Sequence, residues 1–139
     1  VGNKPDGDYN IALRDPSGDG LVGEIRIESG IVAVSGGYER YVDYDGRRYH
    51  HIIDPATGYP SENDLLSTAV YTAEVTPEAG ALADALSTAL FVLGYERAAM
   101  LVDSGALDEL CGCEVGLVLI TSDGSITSHG ALRDAFYEY

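Results

Sequence analysis

Residues 76–94, TPEAGALADALSTALFVLG, form the stretch of sequence that decides the fold of this chain. Thr76, Pro77 and Glu78 are typical of a helix start, because they supply a hydroxyl cap, a proline for the first turn and an acid near the helix dipole. Gly94 is a stop signal, so we expect a helix over 77–93. Apolar residues occur on nearly every side, which predicts a buried helix with a main stripe of Leu82, Leu86, Ala89, Leu90 and Leu93.

Short segments rich in β-branched residues surround this helix and alternate with glycine-containing turns. They predict a hairpin over 41–52 that turns at Asp45-Gly46, and strands at 9–13, 21–27, 31–35, 66–73, 115–121 and 125–128. We also expect a second helix over 96–103 and a short helical tail from Leu132 onward. The pattern predicts one α+β domain over 1–139, in which a mostly antiparallel sheet with hairpins packs on one long buried helix and a second, shorter helix.

The long helix carries two polar residues with a definite spacing. Asp84 and Thr88 are four residues apart, so they lie on one face about one turn from each other. Burying a carboxylate without a partner is costly, so something must compensate the predicted buried Asp84. A hard cation held by the carboxylate and the hydroxyl is one solution. Hydrogen bonds to Asp84 from a neighbouring loop are the other.

A second polar segment runs over residues 48–60 and reads RYHHIIDPATGYP. Adjacent residues of a strand face opposite ways, so His50 and His51 should point to opposite sides. A histidine at a strand end beside Asp54 is a candidate general base at neutral pH. The alternative is a surface histidine on a hairpin.

A third segment, Ser35-Gly36-Gly37, follows a predicted strand. Such a turn exposes backbone amides and allows close approach to a phosphate or a flat ring. Turns of this kind also serve only to connect strands. No Walker loop and no nucleophile elbow occur in the sequence.

Acidic residues outnumber basic ones 23 to 8, and the formal net charge is -15. This charge repels phosphate backbones and argues against nucleic acid as a partner. It also suits simple solubility. For a phosphorylated ligand, the scarcity of Lys and Arg favours a metal ion as the bridge to the protein.

Together the three segments resemble the ApbE-like family of bacterial FAD:protein FMN transferases. The resemblance lies in the order of SGGYERY at 35–41, HIIDPATGYP at 51–60 and ADALSTALFVLG at 83–94. It implies an enzyme that cleaves the pyrophosphate of FAD, releases AMP and transfers FMN to a Ser or Thr hydroxyl of an acceptor protein. Magnesium is the implied cofactor, and FAD is the implied substrate.

The resemblance also implies roles for individual residues. Asp84 and Thr88 match the side-chain metal ligands, and His51 matches the histidine proposed to deprotonate the acceptor hydroxyl. His50 is not required by the pattern and is expected to be structural. The flavin-nucleotide pocket is expected to include Ser35, Gly36, Asp54, Pro55, Thr57 and Gly58.

Family members are considerably longer, so we expect this chain to be the C-terminal portion, with a partial site, weak FAD binding and no transferase activity alone. The alternatives are a flavin- or nucleotide-binding module without catalysis, and a structural subdomain. A homodimer that covers an exposed core face is a further expectation. The family suggests a cell-envelope location, with the cytoplasm as the alternative. Cys111 and Cys113, which flank Gly112, are expected to be ordinary residues of a tight turn.

Overall fold

The computed structural model describes residues 7–139. The strands in this range are β1 Tyr9–Arg14, β2 Leu21–Ile27, β3 Ile31–Gly36, β4 Tyr41–Tyr44, β5 Arg47–His50, β6 Leu65–Thr72, β7 Val115–Thr121, β8 Ile126–Gly130 and β9 Phe136–Glu138. The helices are α1 Pro77–Leu93, α2 Tyr95–Asp103 and α3 Ala106–Cys111. Within the described residues, no helix is both long and apolar enough to cross a lipid bilayer.

The central element is a four-stranded antiparallel sheet with the order β3-β6-β7-β8. Because side chains alternate along a strand, its two faces build two different cores. Val70 of β6 packs with Leu90 and Phe91 of α1, whereas the adjacent Ala69 packs with Ile25 of β2. The helices therefore cover one face, and a small antiparallel sheet of order β1-β2-β9 covers the other. The predicted α+β class with antiparallel strands is confirmed.

Helix α1 begins and ends at the predicted residues. The Thr76 hydroxyl accepts a hydrogen bond from the amide of Ala79 at 3.0 Å, and Gly94 ends the helix with φ +79°. The predicted buried helix is buried on one face only. It packs on β3 and β6 through a face formed by Ala79, Ala83, Ser87, Leu90 and Phe91.

The opposite side of α1 is exposed, including Asp84 and Thr88, and so are two members of the predicted stripe, Ala89 and Leu93. The physical reason is that the sheet lies on one side only. Small side chains such as Ala83 let the helix approach the strands closely, so the buried face includes small residues as well as Leu90 and Phe91.

The predicted helical tail needs correction. The tail after Leu132 is not helical but ends in strand β9, where Phe136 pairs with Ile25 and Glu138 pairs with Gly23. Gly23 makes this possible, because a Cβ there would lie 2.6 Å from the Phe136 ring. Fully buried Leu132 anchors the turn before the strand.

Helix α3 was not predicted from the sequence. It is short, begins after Gly105 and ends at Gly112, whose φ of +69° favours glycine. Cys111 belongs to this helix and Cys113 follows its end, and both are free thiols.

Strands β4 and β5 form the predicted hairpin, although β5 ends at His50 rather than Ile52. The hairpin forms a separate two-stranded sheet, and all of β4 is exposed. The hairpin matters for the site because His51 is the first residue after β5, so the hairpin sets its position.

Candidate functional site

An open groove of about 720 Å³ runs along the exposed side of α1. Asp84 and Thr88 are its polar lining, and the remainder is apolar: Ile53, Pro55, Ala81, Ala85, Ala89, Val92 and Leu93. The Asp84 carboxylate forms no hydrogen bond or ion pair with any residue in 7–139. Asp84 is therefore a free carboxylate in an apolar wall, and solvent rather than a buried partner satisfies it. The expectation of a buried Asp84 is thus wrong.

Three hydroxyl groups meet where α1 crosses the end of β3. Ser35 Oγ lies 2.7 Å from Ser87 Oγ and 3.0 Å from Thr88 Oγ1. Ser87 Oγ donates to the backbone carbonyl of Asp84 at 2.8 Å. Ser87 is fully buried, and Thr88 lies at the exposed end of this cluster.

The donor chemistry of the groove fits a hard divalent cation. Carboxylate and hydroxyl oxygens are the ligand types that such ions prefer, and Asp84 and Thr88 present them one helical turn apart. Among residues 7–139 there is no group of three or more His, Cys, Asp or Glu side chains that could form a complete metal site. The described residues thus offer two ligands, and a cation held there needs further ones.

His51 stands immediately after β5 and is exposed. Its backbone amide and its Nδ1 both lie 3.2 Å from the carbonyl oxygen of Arg40. A carbonyl can only accept, so Nδ1 carries the proton in this contact. In the neutral ring Nε2 is then unprotonated, and its lone pair is free to accept a proton.

His50, the last residue of β5, has contact partners different from those of His51. Its Nε2 lies 3.1 Å from the Ser61 carbonyl, and its Nδ1 accepts from the Ile52 amide at 3.3 Å. The ring also packs edge-on against Phe91 with the centroids 5.7 Å apart. These contacts use both nitrogens, so the structural role expected for His50 is consistent with the geometry.

The segment from Asp54 to Gly58 is a tight turn bonded to itself. The Asp54 carbonyl accepts from the amides of Thr57 at 3.2 Å and Gly58 at 2.8 Å, and Asp54 Oδ1 accepts from the Ala56 amide at 2.8 Å. Gly58 has φ +74°, a conformation that favours glycine. The turn is thus held by two backbone hydrogen bonds and by the Asp54 side chain.

This turn borders two different spaces. Pro55 lines the α1 groove together with Asp84 and Thr88. Asp54 and Thr57 line a separate cavity of about 430 Å³, with Arg47, Tyr59, Pro60 and Glu62. His51 lines neither space. The structure therefore brings together Asp84, Thr88, Pro55 and, through hydrogen bonding, Ser35.

Close packing explains why residue 36 is a glycine. A Cβ at this position would lie 2.4 Å from the Tyr38 ring and 2.8 Å from the Leu66 carbonyl oxygen. Burial is the main cause that raises the pKa of the Tyr38 phenol above its ordinary value, so it stays protonated at neutral pH. Tyr38 thus covers Gly36 as a neutral ring.

Sequence reasoning missed two features of this site. Ser87 was not singled out, although a lone serine on the buried side of a helix is a signal that a hydrogen-bond partner faces it. The apolar wall was also missed, and its signal was the spacing of Ala81, Ala85 and Ala89 at four-residue intervals.

The family model and the sequence relatives of this chain point to the same protein family. The model of the ApbE family matches residues 1–110. The FAD:protein FMN transferase of Treponema pallidum is 46% identical over 99 residues, which cover 68% of this chain and 25% of that protein. The enzyme of the same name from Rhodobacter capsulatus is 36% identical over 133 residues, 95% of this chain and 22% of that protein.

Solved structures agree with the sequence relatives. The ApbE protein of Thermotoga maritima has a TM-score of 0.74 at 34% identity, over 93% of this chain and 38% of that one. The Pseudomonas stutzeri flavinyl transferase ApbE has a TM-score of 0.59 at 34% identity, over 97% of this chain and 39% of that one.

The chain spans about a quarter of the length of the curated relatives it matches. On the profile match and the shared fold, it belongs to the ApbE family.

Proposed function

We propose that this chain supplies the metal-binding helix and the histidine loop of an FAD:protein FMN transferase. The reaction is magnesium-dependent transfer of FMN from FAD to a Ser or Thr hydroxyl of an acceptor protein, with release of AMP. The names of the relatives support flavin transfer. The observation that carries the metal site is the pair Asp84 and Thr88, exposed on one face of α1 with oxygen atoms available to a cation.

In this proposal Asp84 and Thr88 hold Mg²⁺ through the carboxylate and the hydroxyl oxygen. Bound Mg²⁺ supplies charge neutralisation for the pyrophosphate of FAD and for the AMP that leaves. The chain itself contributes few positive charges, since Lys and Arg total 8 against 23 acids. In this proposal the Asp84 carboxylate binds the ion that supplies the positive charge for the phosphates.

His51 is proposed as the general base. Its Nδ1 proton is directed to the Arg40 carbonyl at 3.2 Å, so Nε2 can accept the proton of the acceptor hydroxyl. The acceptor oxygen then bonds to the phosphorus of the FMN moiety, and the bond from that phosphorus to AMP breaks. The Arg40 carbonyl fixes the ring orientation that this proton transfer needs.

The apolar wall of the groove suits a flat aromatic ring beside a charged phosphate. The groove is lined by Ile53 and Pro55 from the segment after β5, and by Ala81 and Ala85 of α1. Small alanine side chains leave room for close approach of a ring. We place Ser35, Gly36, Asp54, Pro55, Thr57 and Gly58 in or beside the flavin-nucleotide site. The acceptor protein, the homodimer and the cell-envelope location belong to the same proposal.

A chimera tests the proposed activity. The matching segment of the Treponema pallidum protein is replaced by this chain, and FMN transfer to an acceptor peptide and AMP release are measured with Mg²⁺ present. We expect transfer by the chimera, and none by the same chimera carrying Asp84→Asn. Asp134→Asn is the matched control, since it removes the same charge from an exposed position.

The outcomes separate the functional classes. A folded chimera that binds FAD but releases no AMP would favour the binding module without catalysis. Equal transfer rates for Asp84→Asn and Asp134→Asn would remove the metal role of Asp84. The isolated chain is expected to transfer no FMN, and transfer by it alone would show that its site is sufficient.

A further inference from the structure

In the hydroxyl cluster of Ser35, Ser87 and Thr88, the donor and the acceptor of each hydrogen bond can be assigned by counting the available protons. Each hydroxyl has one proton to donate. Ser87 donates its proton to the backbone carbonyl of Asp84, which can only accept, at 2.8 Å. We assign the Ser87 proton to this carbonyl, and this assignment makes Ser35 the donor in the 2.7 Å contact between Ser87 and Ser35.

The same count fixes the role of Thr88. Ser35 has used its only proton, so in its 3.0 Å contact with Thr88 it accepts. The second acceptor within reach of Thr88 Oγ1 is the Asp84 carbonyl at 3.4 Å. With Ser35 as the acceptor, the Thr88 proton points toward β3, which does not line the groove. The lone pairs of Thr88 Oγ1 then receive no hydrogen bond from residues 7–139 and remain on the groove side.

This is the orientation that a hydroxyl needs as a metal ligand. A neutral hydroxyl binds a cation through a lone pair, with its proton turned away. Threonine in a helix otherwise divides between two side-chain rotamers, because its hydroxyl can also bond to the backbone of the preceding turn. In the observed rotamer, Thr88 Oγ1 lies 3.0 Å from Ser35 Oγ and 3.4 Å from the Asp84 carbonyl oxygen, and the shorter contact is the one with β3.

We propose that Ser35 and Ser87 are positioning residues that hold the Thr88 hydroxyl with its proton inward and its lone pairs toward a divalent cation. The inference rests on the proposed metal site of Asp84 and Thr88. It gives Ser35 a role in supporting the metal ligand. It also links both ligands, since the chain of hydroxyls ends on the backbone carbonyl of Asp84 itself.

The test measures Mn²⁺ affinity by the signal of free Mn²⁺ in electron paramagnetic resonance, with melting temperature recorded for every variant. We expect Ser35→Ala and Ser87→Ala each to weaken Mn²⁺ binding about tenfold, the lower end of the effect of outer-shell partners. The double variant should be little weaker than either single variant, because the two hydroxyls act in one chain. Ser35→Thr keeps a hydroxyl and should restore affinity.

Thr121→Val is the matched control. Thr121 is buried, and its hydroxyl donates to Asp123 Oδ1, away from the cluster. This variant should lose stability without losing Mn²⁺ affinity, which separates a general effect on folding from an effect on Thr88.

Asp84→Asn separates this inference from the proposed function. If Asp84→Asn weakens binding while Ser35→Ala and Ser87→Ala bind as the unaltered chain does, the positioning role is overturned and the metal site stands. If the unaltered chain binds no Mn²⁺, or Asp84→Asn binds equally well, both are overturned. Loss of affinity in Ser35→Thr equal to that in Ser35→Ala would also contradict the role of the hydroxyl.

Discussion

Replacing Asp103 by alanine should destabilise the chain by breaking a junction between α2 and the C-terminal segment. Asp103 Oδ2 accepts from His129 Nδ1 at 2.9 Å, and Oδ1 accepts from Arg133 Nη2 at 2.8 Å and the Gly130 amide at 3.2 Å. The Arg133 side chain is 62% exposed and that of Asp103 is 35% exposed, so solvent weakens these contacts.

The expected loss is modest. Three charge-assisted bonds of this exposure contribute about 2 kcal/mol in total. Alanine recovers about 0.6 kcal/mol through its better helix propensity at the last residue of α2. The net loss is then about 1.4 kcal/mol, or roughly 5 °C in melting temperature for a chain of this size.

The pKa of Asp103 decides at which pH its contacts stabilise the folded chain. Hydrogen bonding to His129 is the main cause that lowers the pKa of Asp103, and the Gly130 amide and the charges of His129 and Arg133 add to it. A lowered pKa in the folded state means that the stabilisation is complete above the pKa of the unfolded carboxyl, about 3.9, and is lost as the pH falls through the folded value.

Thermal unfolding followed by circular dichroism from pH 7 to pH 3 tests both points. The difference between the unaltered chain and Asp103→Ala should be full at pH 7 and shrink below about pH 4. Asp134→Ala is the control, since Asp134 is exposed and follows Arg133 in the sequence. Equal melting temperatures at pH 7, or a difference that persists unchanged in acid, would refute the reasoning.

Three other predictions concern packing and the reaction. Thr72→Val should raise the free energy of unfolding by about 1 kcal/mol in urea titration, because the buried Thr72 hydroxyl has no hydrogen-bond partner among residues 7–139; lower stability would contradict this. Gly23→Ala should lower it by about 2 kcal/mol, since the new Cβ would lie 2.6 Å from the Phe136 ring; an unchanged value would show that β9 yields freely. His51→Gln in the chimera should slow FMN transfer about 100-fold at unchanged FAD affinity, and an unaltered rate would exclude His51 as the base.

The sequence predicted best what neighbouring residues decide. Thr76, Pro77 and Gly94 fixed both ends of α1 because capping is local. The exposed side of α1 was mispredicted, since its residues are apolar all round and only the placement of β3 and β6 decides which side is buried.

Contacts between distant residues explain the other differences. Strand β9 pairs with β2, more than one hundred residues earlier in the chain, so the tail after Leu132 carries no local sign of its partner. Ser35 and Thr88 were singled out separately, but the hydrogen bond that joins them spans 53 residues. The role of Ser87 was not predicted, because its contact with Ser35 also joins residues that are distant in the sequence.

The central claim is that Asp84 and Thr88 hold a divalent cation on the open side of α1. Paramagnetic broadening of backbone amide signals during a Mn²⁺ titration, measured by nuclear magnetic resonance on the unaltered chain, tests it most directly. We predict that broadening begins at Asp84 and Thr88 and reaches Ser35 next, because Ser35 lies 3.0 Å from the Thr88 hydroxyl. Broadening centred on another acidic segment, such as the loop from Asp15 to Gly20, with the Asp84 signal unchanged, would contradict it.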